Sequence, residues 1–361
     1  MYQFALRLCS SLKRKRITRS SLLLLYLATS CFTASLAAQQ IITIDYPGAV
    51  STSPGAINNA GKVTGAYFDG TAYHGFLRNG DGTFVSFDPP GSTSTGPDSI
   101  NSVGEITGLF QDASGHTLGF IRAIGGRFTI FDATDGGLYS YPLCISDLGE
   151  VSGDTTDSGG RSHGFIREGD GTITLFDPPN PSIFSDGAYY VNNGSVVGTY
   201  FDGSITADEH GYIRDAEGRY TIIDAPGATS RNSGLGTEAW KMNSSGTVIG
   251  DYWDYNLHRH GFTRDAQGNY TKIDVPGAGK GFGQGTITLD INDSGEVVGA
   301  VIGTNYKAFW KNASGGIVRF SAPGAGSSKN QGTIAVKVNN NGTVLGYYID
   351  SNNVQHGFLR F

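Results

Sequence analysis

The feature that most constrains this chain is that it repeats itself. In its fullest form one landmark runs apolar–Asn–x–x–Gly–x–Val/Ile–x–Gly. Copies of it span Ile57–Gly65, Ile100–Gly108, Ile145–Gly153, Tyr190–Gly198, Met242–Gly250, Ile291–Gly299 and Val338–Gly346. The steps between copies are 43, 45, 45, 52, 49 and 47 residues. A second landmark, His-Gly-Phe or a close variant, begins at His74, His163, His210, His260 and His356, with degenerate forms at Leu118-Gly119-Phe120 and Ala308-Phe309. A third, aromatic–x–x–apolar–Asp–x–Pro–Gly, closes the unit, as in Phe84 to Gly91 and Tyr270 to Gly277.

Each unit reads as four short strands. The first precedes the Asn, the second carries Val-x-Gly-x-Tyr, the third starts at the His and the fourth ends at the Asp. Asn-x-x-Gly and Gly-Asp-Gly-Thr fall between strands, where hairpin turns need residues that accept positive φ. The 54 glycines, with Phe (20) and Tyr (18) far ahead of Met (2) and Trp (3), suit such a chain. Four-stranded units of about 45 residues are the sequence signature of propeller blades. The seventh unit stops at Phe361 without a fourth strand. Ile41, Ile44, Asp45, Pro47 and Gly48 supply that missing pattern near the other end. The expectation is an all-β, seven-bladed β-propeller of four-stranded blades over 38–361, closed by the N-terminal strand completing the last blade and so leaving no free sheet edge.

The units resemble the extracellular HAF-repeat family, named for a His-Ala-Phe-type motif, across essentially residues 41 to 361. Gly mostly holds the middle position here, and Ala survives in Ala308-Phe309. The resemblance implies an exported bacterial protein of propeller-like form and implies no reaction.

Residues 1–37 have another character. Arg7, Lys13, Arg14, Lys15, Arg16 and Arg19 form a basic leader without acidic residues, followed by the apolar run Leu22 to Leu27 and by Ser35-Leu36-Ala37. This pattern is that of a signal peptide, so secretion or periplasmic export is expected. An uncleaved anchor is disfavoured by Thr29, Ser30 and Thr33 within the run. Lipid attachment at Cys31 is disfavoured by Ala28, where Leu is usual. Six of the 26 basic residues leave with the leader, so 20 remain against 32 acidic ones, a net charge of −12. Nucleic acid and anionic membranes are unsuited partners for that surface. Only Cys144 remains after cleavage, which excludes an internal disulfide. A monomer is expected.

Several repeated polar residues invite a chemical reading. His74/Asp88, His163/Asp177, His210/Asp224 and His260/Asp274 are each 14 residues apart. A hairpin centred on Asp81 places His74 opposite Asp88, and His356 would meet Asp45 in the same way if the chain ends join. A second Asp follows strand two at Asp69, Asp112, Asp157, Asp202, Asp254 and Asp350. The sixth unit lacks all three polar positions together, having Gly303, Ala308 and Ser321. A catalytic group is needed once and a strut in every unit, so a hydrogen-bonded strut is the expected role. No cofactor is expected, with a structural divalent cation left open. His258-Arg259-His260 near Asp251 and Asp254 is the weak metal candidate. Gly160-Arg161-Ser162-His163-Gly164 matches a nucleophile-elbow string without the strand-to-helix turn it requires. Gly277-Ala278-Gly279-Lys280-Gly281 lacks the ending of a phosphate loop.

Variation points to one face. From the unit-closing position to the next landmark the connection spans 12, 12, 13 and 13 residues, then 18, 17 and 17. Loops on a rigid scaffold carry function. The lengthened segments contain Arg231, Lys280, Phe282 and Lys329, cationic and aromatic residues suited to a glycan or a protein partner. Trp240 reads instead as a core residue of the inner strand. The expected function is a non-catalytic binding module. The alternatives are a purely structural surface protein and a carbohydrate-active hydrolase or lyase. An enzyme would need acidic groups converging outside the repeat positions. Asp208, Glu209 and Glu238 are the extras, and nothing in the sequence brings them together.

Overall fold

Strands account for all the regular secondary structure of the described residues. The computed structural model describes residues 40–134, 136–204, 207–229 and 235–361, without the side chains of 183–186. The leader 1–37 and Arg231 lie outside the described residues.

A short strand β1 (Ile41–Thr43) is followed by four-stranded antiparallel groups. The first comprises β2 (Ser51–Ile57), β3 (Val63–Phe68), β4 (Tyr73–Arg78) and β5 (Phe84–Phe87). Next come β6 (Ser92–Ile100), β7 (Ile106–Asp112), β8 (Thr117–Arg122) and β9 (Phe128–Phe131). The third is β10 (Gly136–Ile145), β11 (Val151–Asp157), β12 (Ser162–Arg167) and β13 (Ile173–Phe176). The fourth is β14 (Pro181–Asn192), β15 (Ser195–Asp202), β16 (Glu209–Arg214) and β17 (Tyr220–Ile223). The fifth is β18 (Thr237–Met242), β19 (Val248–Trp253), β20 (Arg259–Arg264) and β21 (Tyr270–Ile273). The sixth is β22 (Gly285–Ile291), β23 (Val297–Ile302), β24 (Tyr306–Lys311) and β25 (Ile317–Phe320). In the last, β26 (Gly332–Val338), β27 (Val344–Ile349) and β28 (Gln355–Arg360) are joined by β1, whose Ile41, Ile42 and Thr43 face Arg360, Leu359 and Phe358.

The landmarks acquire physical reasons. The aromatic residue of the His-Gly-Phe segment is the core of each group: Phe76, Phe120, Phe165, Tyr212, Phe262, Phe309 and Phe358 are at most 1% exposed. The glycine closing the first landmark faces a β-bulge in the first strand, as Gly153 faces Pro142 and Gly250 faces Ala239. A Cβ there would overlap the carbonyl of Tyr141 or Glu238, so only glycine admits the bulge. The extra residue also upsets a strict alternation along the inner strand. Leu143, Tyr189, Trp240 and Leu289, at or beside the bulges, line an inner cavity of about 150 Å³ together with Lys241 and Asp290. Lys241 Nζ is 2.7 Å from Asp290 Oδ1, and the other oxygen of Asp290 accepts the Val338 N–H at 2.8 Å.

Asn side chains stitch one group to the next. Asn58 Nδ2 donates to the Asn101 carbonyl, Asn101 to Ser146, Asn243 to Asn292 and Asn292 to Asn339, at 3.0–3.2 Å. Asn339 donates in turn to the Asn58 carbonyl at 3.0 Å, linking the last group to the first. Ser146 and Val191 occupy the Asn position in the third and fourth groups, and there Glu150 Oε1 accepts the Gly194 N–H at 2.7 Å. Buried hydroxyls add a second link: Thr52, Ser140, Thr237, Thr286 and Thr333 accept backbone N–H groups of Tyr46, Ala133, Ala225, Val275 and Ala322. Arginines ending the third strands cover aromatic rings of the preceding group, as Arg122 over Phe87 at 4.9 Å and Arg360 over Phe320 at 4.8 Å.

Candidate functional site

The repeated histidines form one arrangement five times. Nδ1 of His74, His163, His210, His260 and His356 lies 2.6–2.7 Å from Asp88, Asp177, Asp224, Asp274 and Asp45. The hairpin register makes the first four pairs, and β1 beside β28 makes the fifth. Nε2 faces the other repeated Asp, at 3.3 Å for Asp69, 3.4 Å for Asp157 and 3.1 Å for Asp254, and at 3.9 and 3.7 Å for Asp202 and Asp350. That second Asp also ties the turn before strand three. Asp157 Oδ1 accepts the Gly159 and Arg161 N–H groups, each at 2.8 Å.

An imidazole between two carboxylates is favoured as the imidazolium, which alone donates from both nitrogens. The Asp88 hydrogen bond accordingly raises His74 above the ordinary range, and the Asp224 bond raises His210. These groups pin the strand-two turn to strand four in each group that has them. The substitution His163→Ala should destabilise the protein by about 1–3 kcal/mol in urea unfolding. An unchanged midpoint would remove the strut role. His258 adjoins this pattern, with Nδ1 3.6 Å from the Asp254 oxygen that His260 also faces and Nε2 2.9 Å from the Lys280 carbonyl. Among the described residues no three His, Cys, Asp or Glu side chains gather as a metal ion requires.

The lengthened connections lie at the same end of the strands as the strand-two turns, as the His258–Lys280 contact shows. Two are braced from inside by a glutamine. Gln284 accepts the Gly281 N–H and donates to the Gly303 carbonyl, while Gln331 accepts the Ser328 N–H and donates to Ser351 and Asn353. Phe282 is held outward on this brace, 76% exposed, with its ring 5.9 Å from Trp253. The Arg259 guanidinium lies 5.0 Å over the Trp253 ring. Lys280 and Lys329 are exposed on their own connections, and no contact joins Lys329 to the Phe282 pair among the described residues.

Arg259 leads inward to a group the sequence did not bring together. It binds Glu238 and Asp251, and Trp240 Nε1 donates to the other Asp251 oxygen at 2.8 Å. Trp240 also packs on Tyr189 at 4.8 Å. Glu209 stands close enough to feel both carboxylates, so two of the three extra acids, Glu209 and Glu238, do share one cluster. The sequence showed no link because each sits on a different group, and only the packing of β16 against β18 joins them. A Cβ at Gly236 would overlap the Glu209 carbonyl, which explains how closely the two strands approach. Burial, then the charge of Asp251, pushes Glu209 up to about 7 and Glu238 to about 9. Burial likewise raises Asp154, on the neighbouring β11, to about 7. Burial opposes the Arg259 charge, and Asp251 and Glu238 more than offset it.

No family model and no curated protein sequence matches the chain. Solved structures do resemble it. Oligogalacturonate lyase from Vibrio parahaemolyticus superimposes with a TM-score of 0.60 at 9% identity, over 90% of this chain and 94% of that one. The β-propeller domain of the trilobed protease from Pyrococcus furiosus, described as having an open velcro topology, gives 0.56 at 11% identity, over 86% and 95%. A streptogramin B lyase gives 0.50 at 13%, over 89% and 97%. At such identities the likeness is one of fold. The chain is an all-β protein of propeller type.

Proposed function

We propose that this chain is an exported HAF-type repeat protein whose seven four-stranded groups close into a ring, and whose long-loop face binds an extracellular glycan. The observation that carries the binding reading is the outward-held Phe282 beside Trp253. A sugar ring stacks on such a surface through its C–H face, and a rigid aromatic offers the contact area at little entropic cost. Lys280 and Lys329 add positive charge to that face of an acidic protein, which suits acidic sugars. Binding needs no cofactor, and the ring is proposed to act as a monomer in the secreted or periplasmic space.

A thermal-shift panel of neutral and acidic oligosaccharides tests the reading, because a ligand of the native state raises the midpoint by mass action. At least one oligosaccharide should raise it. The substitution Phe282→Ala should weaken that glycan at least ~10-fold, the loss of one good stacking contact, and leave the ligand-free midpoint unchanged. A panel with no shift, or a variant that binds equally well, contradicts the proposal.

A second reading, turnover of the bound sugar, draws on Glu238. Burial raises this carboxyl, the direction a general acid needs, against the Arg259 charge that pairs with it. A turnover assay on the glycan found in the panel separates binding from hydrolysis or elimination.

A further inference from the structure

Between the third and fourth groups lies a cavity of about 290 Å³, at the same end of the molecule as the long connections. Asp154 and Glu209 form its acidic wall, and the rings of Tyr141, Tyr189 and Phe201 form much of the rest. Among the described residues no lysine or arginine lines it. Glu209 is only 8% exposed, and its Oε2 is buried without a hydrogen-bond partner. A buried carboxylate oxygen left without a donor is costly, and native proteins rarely keep one without a use.

The charged and titratable neighbours do not supply the missing donor. Arg259 on β20 is committed to Glu238 of β18 and Asp251 of β19. His210, next to Glu209 on β16, is committed to Asp224. On β11, Asp154 has one oxygen on the Ala188 N–H at 2.9 Å. Tyr189 of β14 leans on Trp240, and Tyr141 of β10 stacks with Tyr139 at 5.8 Å, Tyr139 and Tyr141 each being more than a third exposed. The wall therefore offers negative charge and aromatic faces together, the combination that holds organic cations. The space is about ten times the share of one liquid water, and the donors do not converge as a metal ion would need.

We propose that this cavity binds the primary ammonium group of a small organic ligand, with Glu209 and Asp154 accepting its N–H hydrogen bonds and the Tyr141 and Phe201 rings lying against its carbon skeleton. Burial of Glu209 and Asp154 supports this, since a cation entering would relieve two carboxyls that ionise reluctantly. The inference stands apart from the Phe282 surface, which involves none of these residues. Ammonium groups of this kind occur on amino sugars and on alkyl amines.

Isothermal titration of the full chain at pH 7.5 with glucosamine, cadaverine and N-acetylglucosamine tests it. The expected result is saturable binding of an amine and no heat from the uncharged N-acetylglucosamine. Glucosamine alone identifies an amino sugar, cadaverine alone an alkyl amine, and both together the shared ammonium chemistry. Glu209→Gln and Asp154→Asn keep the shape of the wall and should each weaken the amine at least ~10-fold, the loss of a charged hydrogen bond. Phe282→Ala should leave it unchanged. The proposal is overturned if neither amine binds, if N-acetylglucosamine binds as well as glucosamine, or if both wall variants bind like the unaltered protein.

Discussion

Deleting residues 40–48 should lower the unfolding midpoint by about 10 °C or more and promote aggregation. The deletion removes β1 and with it three backbone pairings on β28. It also removes Ile44, 3% exposed among Val63, Phe76, Leu345 and Leu359, and Asp45, the partner of His356. Emptying the Ile44 site alone, as in Ile44→Ala, should cost about 2–4 kcal/mol. With the strand and strut gone as well, a loss of about 5 kcal/mol follows, and each kcal/mol moves the midpoint by roughly 2–4 °C in a domain of this size. The exposed edge of β28 then becomes a template for pairing between molecules. Moving the same segment to follow Phe361 should restore the midpoint, because the strand pairs through space with the chain's other end. A deleted protein that melts like the intact one, measured by calorimetry and light scattering, contradicts the role given to β1.

Stability should fall as the pH rises from about 5.5 to 8.5, by about 5–10 °C in midpoint, and Glu209→Gln should remove part of that fall. The sign follows from which state holds more protons. Glu209 and Asp154 titrate near 7 in the folded protein, against about 4 in an unfolded chain. Between those values the native state holds protons that the unfolded chain has released, so raising the pH favours unfolding. His74 and His210 act in the same direction. Their Asp-bound imidazolium forms stabilise below the ordinary His value of about 6.5, and that contribution is lost as pH rises through their raised folded values. The Asp residues that tie the strand-two turns, Asp157 and Asp254 among them, are lowered and lose their contribution only at pH below about 4. Glu209→Gln removes a buried carboxylate that makes no ion pair among the described residues. It should stabilise the protein by about 1–3 kcal/mol at pH 8 while removing the amine binding proposed above, a trade of function for stability. A midpoint that rises with pH, or a variant less stable than the original at pH 8, contradicts this.

Much of this was legible in the sequence because a repeat averages out local ambiguity. His74 could be placed against Asp88 by the hairpin centred on Asp81 alone, and the buried Phe of the His-Gly-Phe segment follows from its place in the third strand. The bulge was not legible. A single extra residue before Lys241 points Trp240 at Tyr189 and Asp251 along the inner wall, which a strict alternation places differently. The Asn belt was half visible: the Asn recurs in the landmark, but its partner is a backbone carbonyl one group away. The acidic cluster was out of reach. Asp154, Glu209 and Glu238 occupy non-equivalent positions of three successive groups, so no period relates them. Only the packing of one group on the next makes them neighbours.

Glycan binding on the long-loop face is tested by a glycan array probed with the labelled protein beside its Phe282→Ala and Asn340→Ala variants. Asn340 sits at the opposite end, where its N–H donates to Asn59 Oδ1 at 2.8 Å and its side-chain amide to Asp293 at 2.7 Å. Binding shared by the unaltered protein and Asn340→Ala, and lost in Phe282→Ala, is the predicted result. No glycan retained by the unaltered protein, or binding lost in Asn340→Ala and kept in Phe282→Ala, would contradict it.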